Sequence, residues 1–463
     1  MTKPVSIVGA GLAGSEAALQ LAKRGIDVVL YEMRPENPTA VHKTGDCAEL
    51  VCSNSLKSTK PDSAAGMLKH ELETLGSVVY KTALKHAVPA GGALAVNRIS
   101  FAREVTELIE FERHINLVRR EIDSIDEIID QSSAVILATG PLTSDALASS
   151  LASLIGEEYL AFYDAAAPIV MGESLDMSTI FRQSRYEDPG ANGALGDYLN
   201  APMNKKEYER FIDELLAAER VISRDFETRD LFQACQPIEE IARAGRDAPR
   251  FGPLKPVGLT DPRTGRRPWA AVQLRAEDAS GTSYNLVGFQ TNLKFPEQKR
   301  VFSMIPGLEN ADFVRYGVMH RNTFINAPKQ LDSSLQLVTD KALAFCVPIY
   351  VAGQLGGTEG YCEAIRSGLH AAISVISKLN GTDCVPLPKE TVFGALIAHA
   401  TSNETENYQP MHVNFGVLPT LDNPIRNKRD RYEAYRIRGN DALESYCAQL
   451  AQRGILEGAC HDV

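Results

Sequence analysis

Val5-Ser-Ile-Val-Gly-Ala-Gly-Leu-Ala-Gly14, running on through a Leu- and Ala-rich stretch to Asp27-Val-Val-Leu-Tyr-Glu32, is the segment on which the fold turns. Val5 to Val8 is a short apolar strand, Leu12 to Arg24 has helical spacing, and Asp27 to Glu32 is a second strand that ends in an acid. The order is strand, turn, helix, strand. In such a unit the first glycine, Gly9, permits a tight turn, the second, Gly11, lets backbone approach a pyrophosphate, and the third, Gly14, lets helix and strand pack closely. Ala10, Leu12 and Ala13 complete the turn, whose helix N-terminus faces phosphate charge. Glu32 is placed to accept from a ribose hydroxyl.

Two later segments turn a dinucleotide site into an FAD site. Ala134-Val-Ile-Leu-Ala-Thr-Gly140 reads as a buried strand ending in a small-residue turn at Gly140. Ile349-Tyr-Val-Ala-Gly353, then Gln354-Leu-Gly-Gly-Thr-Glu-Gly360, then a helix from Tyr361 to Lys378 repeat the strand, glycine, helix logic, with Gly353 and Gly360 at the turn. Either alone is an ordinary βα turn; with the N-terminal motif they read as a two-dinucleotide flavoprotein. The expected fold class is α/β: a Rossmann-like FAD-binding domain with an inserted α+β substrate domain. The expected boundaries are 1–155 and 311–380 for the discontinuous FAD-binding domain, 156–310 for the insert and 381–463 for a C-terminal helical segment. Within the insert a charged helical stretch is expected from Asp197 to Arg220, with strands at Ala270–Arg275 and Tyr284–Phe289. Helices are expected at Thr391–Thr401 and Lys428–Gln452.

At 463 residues, with 44% hydrophobic and 23% charged residues, the chain has the composition of a packed protein of two or three domains. No signal-peptide pattern opens it and no apolar run is long enough for a bilayer, so a cytoplasmic protein with no membrane partner is expected. Its eight cysteines are scattered, with no C-x-x-C pair and no histidine spaced to complete a zinc site, so no structural metal is expected and the thiols are read as reduced. The net charge of −11 argues against a generally sticky nucleic-acid binder but leaves room for a local basic site.

Such a site is legible. Arg243, Arg246, Arg250, Lys255, Arg263, Arg266, Arg267 and Arg275 face only Asp247 and Asp261, with Phe251 and Trp269 among them. An exposed basic loop with aromatic surface suits RNA phosphates and unstacked bases; a solvated charged loop fits the charges equally well. A second cluster around Arg426 to Arg436 reads rather as a solvated helix face. Cys235 lies just before Pro237, which suits the first position of a helix, and a helix N-terminus favours a thiolate. Glu239 and Glu240 push the other way. Cys52 stands in the hydroxyl-rich turn Ala48-Glu-Leu-Val-Cys-Ser-Asn-Ser-Leu-Lys57, five residues after Cys47, and reads from spacing alone as a buried thiol.

The strings Glu49-Leu-Val-Cys-Ser-Asn-Ser-Leu56, Phe251-Gly-Pro-Leu-Lys-Pro-Val-Gly-Leu259, Val287-Gly-Phe-Gln-Thr291, Met319-His-Arg-Asn-Thr323 and Gly360-Tyr-Cys-Glu-Ala364 resemble, in order and spacing, the folate- and FAD-dependent tRNA uracil-5-methyltransferases, the TrmFO family. The resemblance runs from the first strand to at least Phe415. The related MnmG-type flavoproteins share the cofactor domain but are longer. The resemblance implies methylation of C5 of the T-loop uridine, position 54, of tRNA. Methylenetetrahydrofolate would be the carbon donor, reduced FAD the carrier and reductant, and NADPH or NADH the source of electrons. It implies Cys235 as nucleophile, Cys52 as base or protecting thiol near the flavin, and His320 as a stacking partner for the folate pterin. Arg243, Arg246, Arg250, Lys255, Arg266 and Arg267 would hold phosphates of the tRNA T-arm. A ribosomal RNA uridine, or a small molecule oxidised by a flavin enzyme, are the rival substrates.

Overall fold

The computed structural model describes residues 3–39, 41–156, 160–165, 167–185, 196–221, 236–405 and 408–456, with backbone alone for 160–165 and 319–321. β1 (Val5–Val8) is buried at every residue, as an all-apolar strand must be when both its faces are covered. It pairs in parallel with β2 (Val28–Glu32) on one side and with Ala134–Leu137 on the other. Ile349–Val351 and Ile115–Arg119 close the two edges, which gives a five-stranded parallel sheet.

The helix α1 (Leu12–Ala22) is buried at all residues but Leu12, because small side chains let a second helix lie against it. That helix is α2 (Tyr361–Leu379). A side chain at Gly368 of α2 would overlap the carbonyl of Ala13, so the two backbones touch. The C-terminal helices Val392–Ala400 and Lys428–Gln452 bury Leu396, Leu443 and Tyr446 in the same core.

A second, antiparallel sheet of six strands runs in the order Phe181–Arg182, Tyr198–Met203, Ala270–Ala276, Ser283–Leu286, Ile169–Met171, Phe313–Arg315. Its own core contains Leu199, Val272, Leu274, Phe211, Phe289 and Phe302.

Three local expectations are corrected here. The stretch from Asp197 to Arg220 is strand and then helix: Leu199, Ala201 and Met203 alternate inward along Tyr198–Met203. The helix Lys205–Ala217 begins only after Asn204, whose side chain forms a capping box with Glu207. The strand expected at Tyr284–Phe289 stops at Leu286, since Gly288 turns the chain out with a φ of +77° against Pro253. Pro237 is not the first residue of its helix; its extended ψ of 141° leaves it at the cap, and Ile238 begins Ile238–Ala244.

Candidate functional site

At the C-terminal ends of β1 and β2 a cavity of about 440 Å³ opens beside α1. Gly9 has a φ of +99°, and a side chain there would lie 2.6 Å from the carbonyl oxygen of Ala138. A side chain at Gly14 would overlap the carbonyl of Gly9, so this glycine serves helix–strand contact. Gly11 differs. It caps α1 with no side-chain bond, and an added Cβ would meet nothing within 4 Å. The first N–H groups of α1 therefore face open cavity, a cradle of the kind that receives a diphosphate.

Glu32 ends β2 at the cavity wall. Its Oε2 accepts from the Ala10 N–H at 2.9 Å and its Oε1 from Arg34 Nε at 2.8 Å. Burial works to raise its pKa, but the charge and hydrogen bonds of Arg34 and the Ala10 N–H outweigh it and hold the carboxyl below its usual range. An ionised acceptor at this point suits a ribose hydroxyl. Leu12 and Ala13 line the cavity, whereas Ala10 and Gly14 form the framework behind it. Gly140, Gly353, Gly360 and Cys52 line the same cavity, so residues predicted as three separate glycine turns converge on one void. The residues present fit FAD. Gly11→Ala is expected to leave the fold intact, since its backbone angles suit alanine, and to weaken FAD binding at least about tenfold, ~1.4 kcal/mol, as measured by fluorescence titration of the apoprotein.

The Cys52 loop is held by long-range contacts that no local pattern announces. The Cys52 and Ser53 N–H groups donate to the Tyr361 hydroxyl at 2.9 and 3.1 Å, tying the loop to the start of α2. Arg315 donates to the Val51 carbonyl at 2.6 Å, Arg98 to that of Leu50 at 3.2 Å, and Arg275 to Asn54 Oδ1 at 2.7 Å. Arg98 is itself fixed by a two-pronged pair with Glu277, at 2.6 and 2.8 Å. The antiparallel sheet thus supplies Arg275 and Arg315 to the thiol's loop, while Arg98 and Tyr361 reach it from the first residues of two helices. Cys47 is fully buried, and burial pushes its thiol up to about 11. No disulfide joins it to Cys52.

Cys235 lies outside the described residues. His320 is on the strand Met319–Phe324, paired with Asp164. Glu239, in the helix after Cys235, is buried and accepts from the Asn292 N–H at 2.6 Å and the Thr291 hydroxyl at 3.0 Å, beside Gln290 of the cavity wall. Burial pushes its carboxyl up to about 7, from 4.5, against those hydrogen bonds. The folded state therefore holds this proton more tightly than the unfolded state. The stability it contributes is complete below about pH 4.5 and is lost as pH rises through about 7, a difference of about 3 kcal/mol. Glu239→Gln is expected to flatten that part of the melting-temperature profile between these pH values.

The basic segment is divided by the fold. Arg275 is buried against Asn54 and is no part of an exposed loop, because its strand is central to the sheet. Arg243 lies 3.5 Å from Glu240 and Arg246 2.5 Å from Asp213, so both are exposed but matched by acids distant or local in sequence. The remainder gathers around an open basin of about 990 Å³. There the Arg250 guanidinium stacks 3.6 Å from the Trp269 ring centre, and Phe251 is 81% exposed. Arg263 pairs with Asp261 at 3.0 Å, while Lys255, Arg266 and Arg267 have no carboxylate partner among the described residues. Among those residues no group of His, Cys, Asp and Glu is arranged for a metal ion, and no helix is long and apolar enough to cross a membrane.

The family model described as glucose inhibited division protein A matches residues 4–383. A protein of Desulforudis audaxviator (strain MP104C) named methylenetetrahydrofolate--tRNA-(uracil-5-)-methyltransferase TrmFO is 51% identical over 98% of this chain and 100% of its own length. One of the same name from Bacillus velezensis is 49% identical over 95% of this chain and 98% of its own. Among solved structures, Aquifex aeolicus GidA in its form I crystal superposes with a TM-score of 0.70 at 16% identity, over 99% of this chain and 77% of that one, so the fold is the GidA flavoprotein fold. By the matched model and by half identity over nearly its whole length, the chain belongs to the TrmFO group of the glucose inhibited division protein A family.

Proposed function

We propose that this protein methylates C5 of the T-loop uridine, position 54, of tRNA, with methylenetetrahydrofolate as carbon donor. The observation that carries the reading is that Cys52 lines the same cavity as the Gly11 cradle, in a chain half identical to proteins bearing that activity's name. Uracil C5 is a poor nucleophile until a thiolate adds at C6, and Cys235 takes that role. C5 then bonds to the folate-derived methylene, a base removes the C5 proton as the carrier amine leaves that methylene, and hydride addition to the methylene expels the thiolate from C6 as the ring's double bond returns. Cys52, placed at the cavity wall, is the base or a thiol that guards the site. Reduced FAD, re-reduced by NADPH or NADH, supplies the electron pair that turns methylene into methyl.

His320 stacks on the folate pterin in this reading. Lys255, Arg250, Arg266 and Arg267 hold phosphates flanking the uridine, which must leave its paired position in the T loop to be reached, and Arg243 and Arg246 add to the outer field. The setting is cytoplasmic. The proposed nucleophile is tested with 5-fluorouridine-containing tRNA: a covalent adduct is expected with the wild type and none with Cys235→Ala, and an adduct that persists in the variant removes Cys235 from the role. Ribosomal RNA given in place of tRNA, and flavin turnover without RNA, separate the two rival substrates.

A further inference from the structure

We infer that Lys57, held by Glu363, raises the reduction potential of the FAD bound in the cavity; the inference rests on the FAD reading of that cavity. With the diphosphate at Gly11 and the adenosine at Glu32, the wall left for the isoalloxazine runs through Cys52 to Lys57 and through Gly353 to Ala364. Lys57 lines this wall from the strand Ser55–Ser58, with a φ of +64° that a side-chain-bearing residue seldom adopts. Such a conformation persists only where the surroundings impose it, and it is concentrated at ligand sites.

The Lys57 Nζ lies 3.4 Å from Glu363 Oε1. The two ends of the pair are unequally placed. Glu363 is in the first turn of α2 with its side chain 1% exposed, whereas Lys57 keeps 44% of its side chain accessible. Gly360, with a φ of +117°, leaves room for both, since any side chain there would run into Glu363 and lie 3.0 Å from the Lys57 amine. Both side chains line the cavity, and the amine is the more accessible end of the pair. The uncapped start of α2 at Gly360 adds positive partial charge at the same cavity.

Compensation of a buried carboxylate does not account for this arrangement. Lys69 is already close enough for Glu363 to act on its charge, and it is buried with its amine donating to the carbonyls of Leu56 and Ser58. His412, across the wall, is held below its usual pKa by burial and by Lys57, so it carries no competing charge near neutral pH. Two-electron reduction leaves the isoalloxazine with more negative charge than it had, and the more accessible amine at its edge favours that state.

The test is anaerobic measurement of the potential of the bound flavin against reference dyes. Lys57→Met removes the positive end of the pair and is expected to disfavour the reduced state at least about tenfold, ~30 mV more negative for a two-electron couple. Glu363→Gln leaves Lys57 uncompensated and is expected to move the potential by a similar amount in the opposite direction, and Lys57→Arg to restore the wild-type value. A purely structural role moves neither potential, or moves both the same way, and either result overturns the inference. If Lys57→Met fails to retain FAD, Glu363→Gln decides alone: a positive shift supports the inference and an unmoved potential ends it. Failure of the FAD reading itself is distinct, since the wild type would then bind no flavin.

Discussion

Gly14→Ala is expected to yield protein without FAD. The added methyl group would overlap the Gly9 carbonyl, and the nearest alternative space is filled by the Ala138 side chain, 3.3 Å away. Backbone cannot yield as a flexible side chain can, so α1 must move off β1, at a cost at or above the about 1–3 kcal/mol usual for an overpacked core. The movement also displaces α2, whose Gly368 meets the Ala13 carbonyl in the next layer. Both walls of the cavity shift together. The absorbance of flavin that stays with the protein through desalting reads the effect directly, and the melting temperature should fall with it. Retained flavin at wild-type stability would mean that the contact is not rigid. The contrast with Gly11→Ala, where only ligand space is lost, separates the two uses of glycine in one turn.

The second large effect is expected at Arg366, which is not among the predicted site residues. This arginine is 1% exposed in the second turn of α2, with its Nε 3.5 Å from Glu71 Oε2 and its guanidinium 4.5 Å from the ring centre of Phe393. Glu71 in turn accepts from the N–H groups of Val392 and Phe393, which open the C-terminal helix Val392–Ala400. Burial pushes the Glu71 carboxyl up, against the pull of Arg366 and those donors. Arg366→Met removes the countercharge and leaves a buried acid, which costs about 3–5 kcal/mol. Thermal unfolding should show a melting temperature lower by several degrees. Combining it with Glu71→Gln is expected to recover part of the loss, since the amide carries no charge to strand. A single variant as stable as the wild type would show the pair to be dispensable.

How much of this was legible in the sequence depends on the range of the interactions. The Gly9, Gly11 and Gly14 turn and the strands around it were readable because each role is set by neighbours within a few residues, and the observed strands Val5–Val8 and Val28–Glu32 fall where the pattern puts them. The helix Lys428–Gln452 was readable for the same reason. Tyr198–Met203 was misread because its two-residue alternation, Leu199, Ala201, Met203, is short and runs directly into a strongly helical stretch. Arg275 was read as exposed because charge in a sequence carries no record of its partner; here that partner is Asn54, 221 positions away. Tyr361, Arg98 and Arg315 were missed as builders of the Cys52 loop for the same reason. Lys57 and Glu363 each stood inside quoted strings, and only the fold brings them together.

In the proposed reaction one cavity brings a flavin and a reactive thiol to a tRNA uridine. Its most direct measurement is incubation of the protein with tRNA lacking 5-methyluridine, methylenetetrahydrofolate labelled at the transferred carbon, and NADPH, followed by nucleoside analysis. Labelled 5-methyluridine is expected at a single T-loop position and none without the folate; tRNA that stays unmethylated while the flavin is reduced would contradict the proposed reaction.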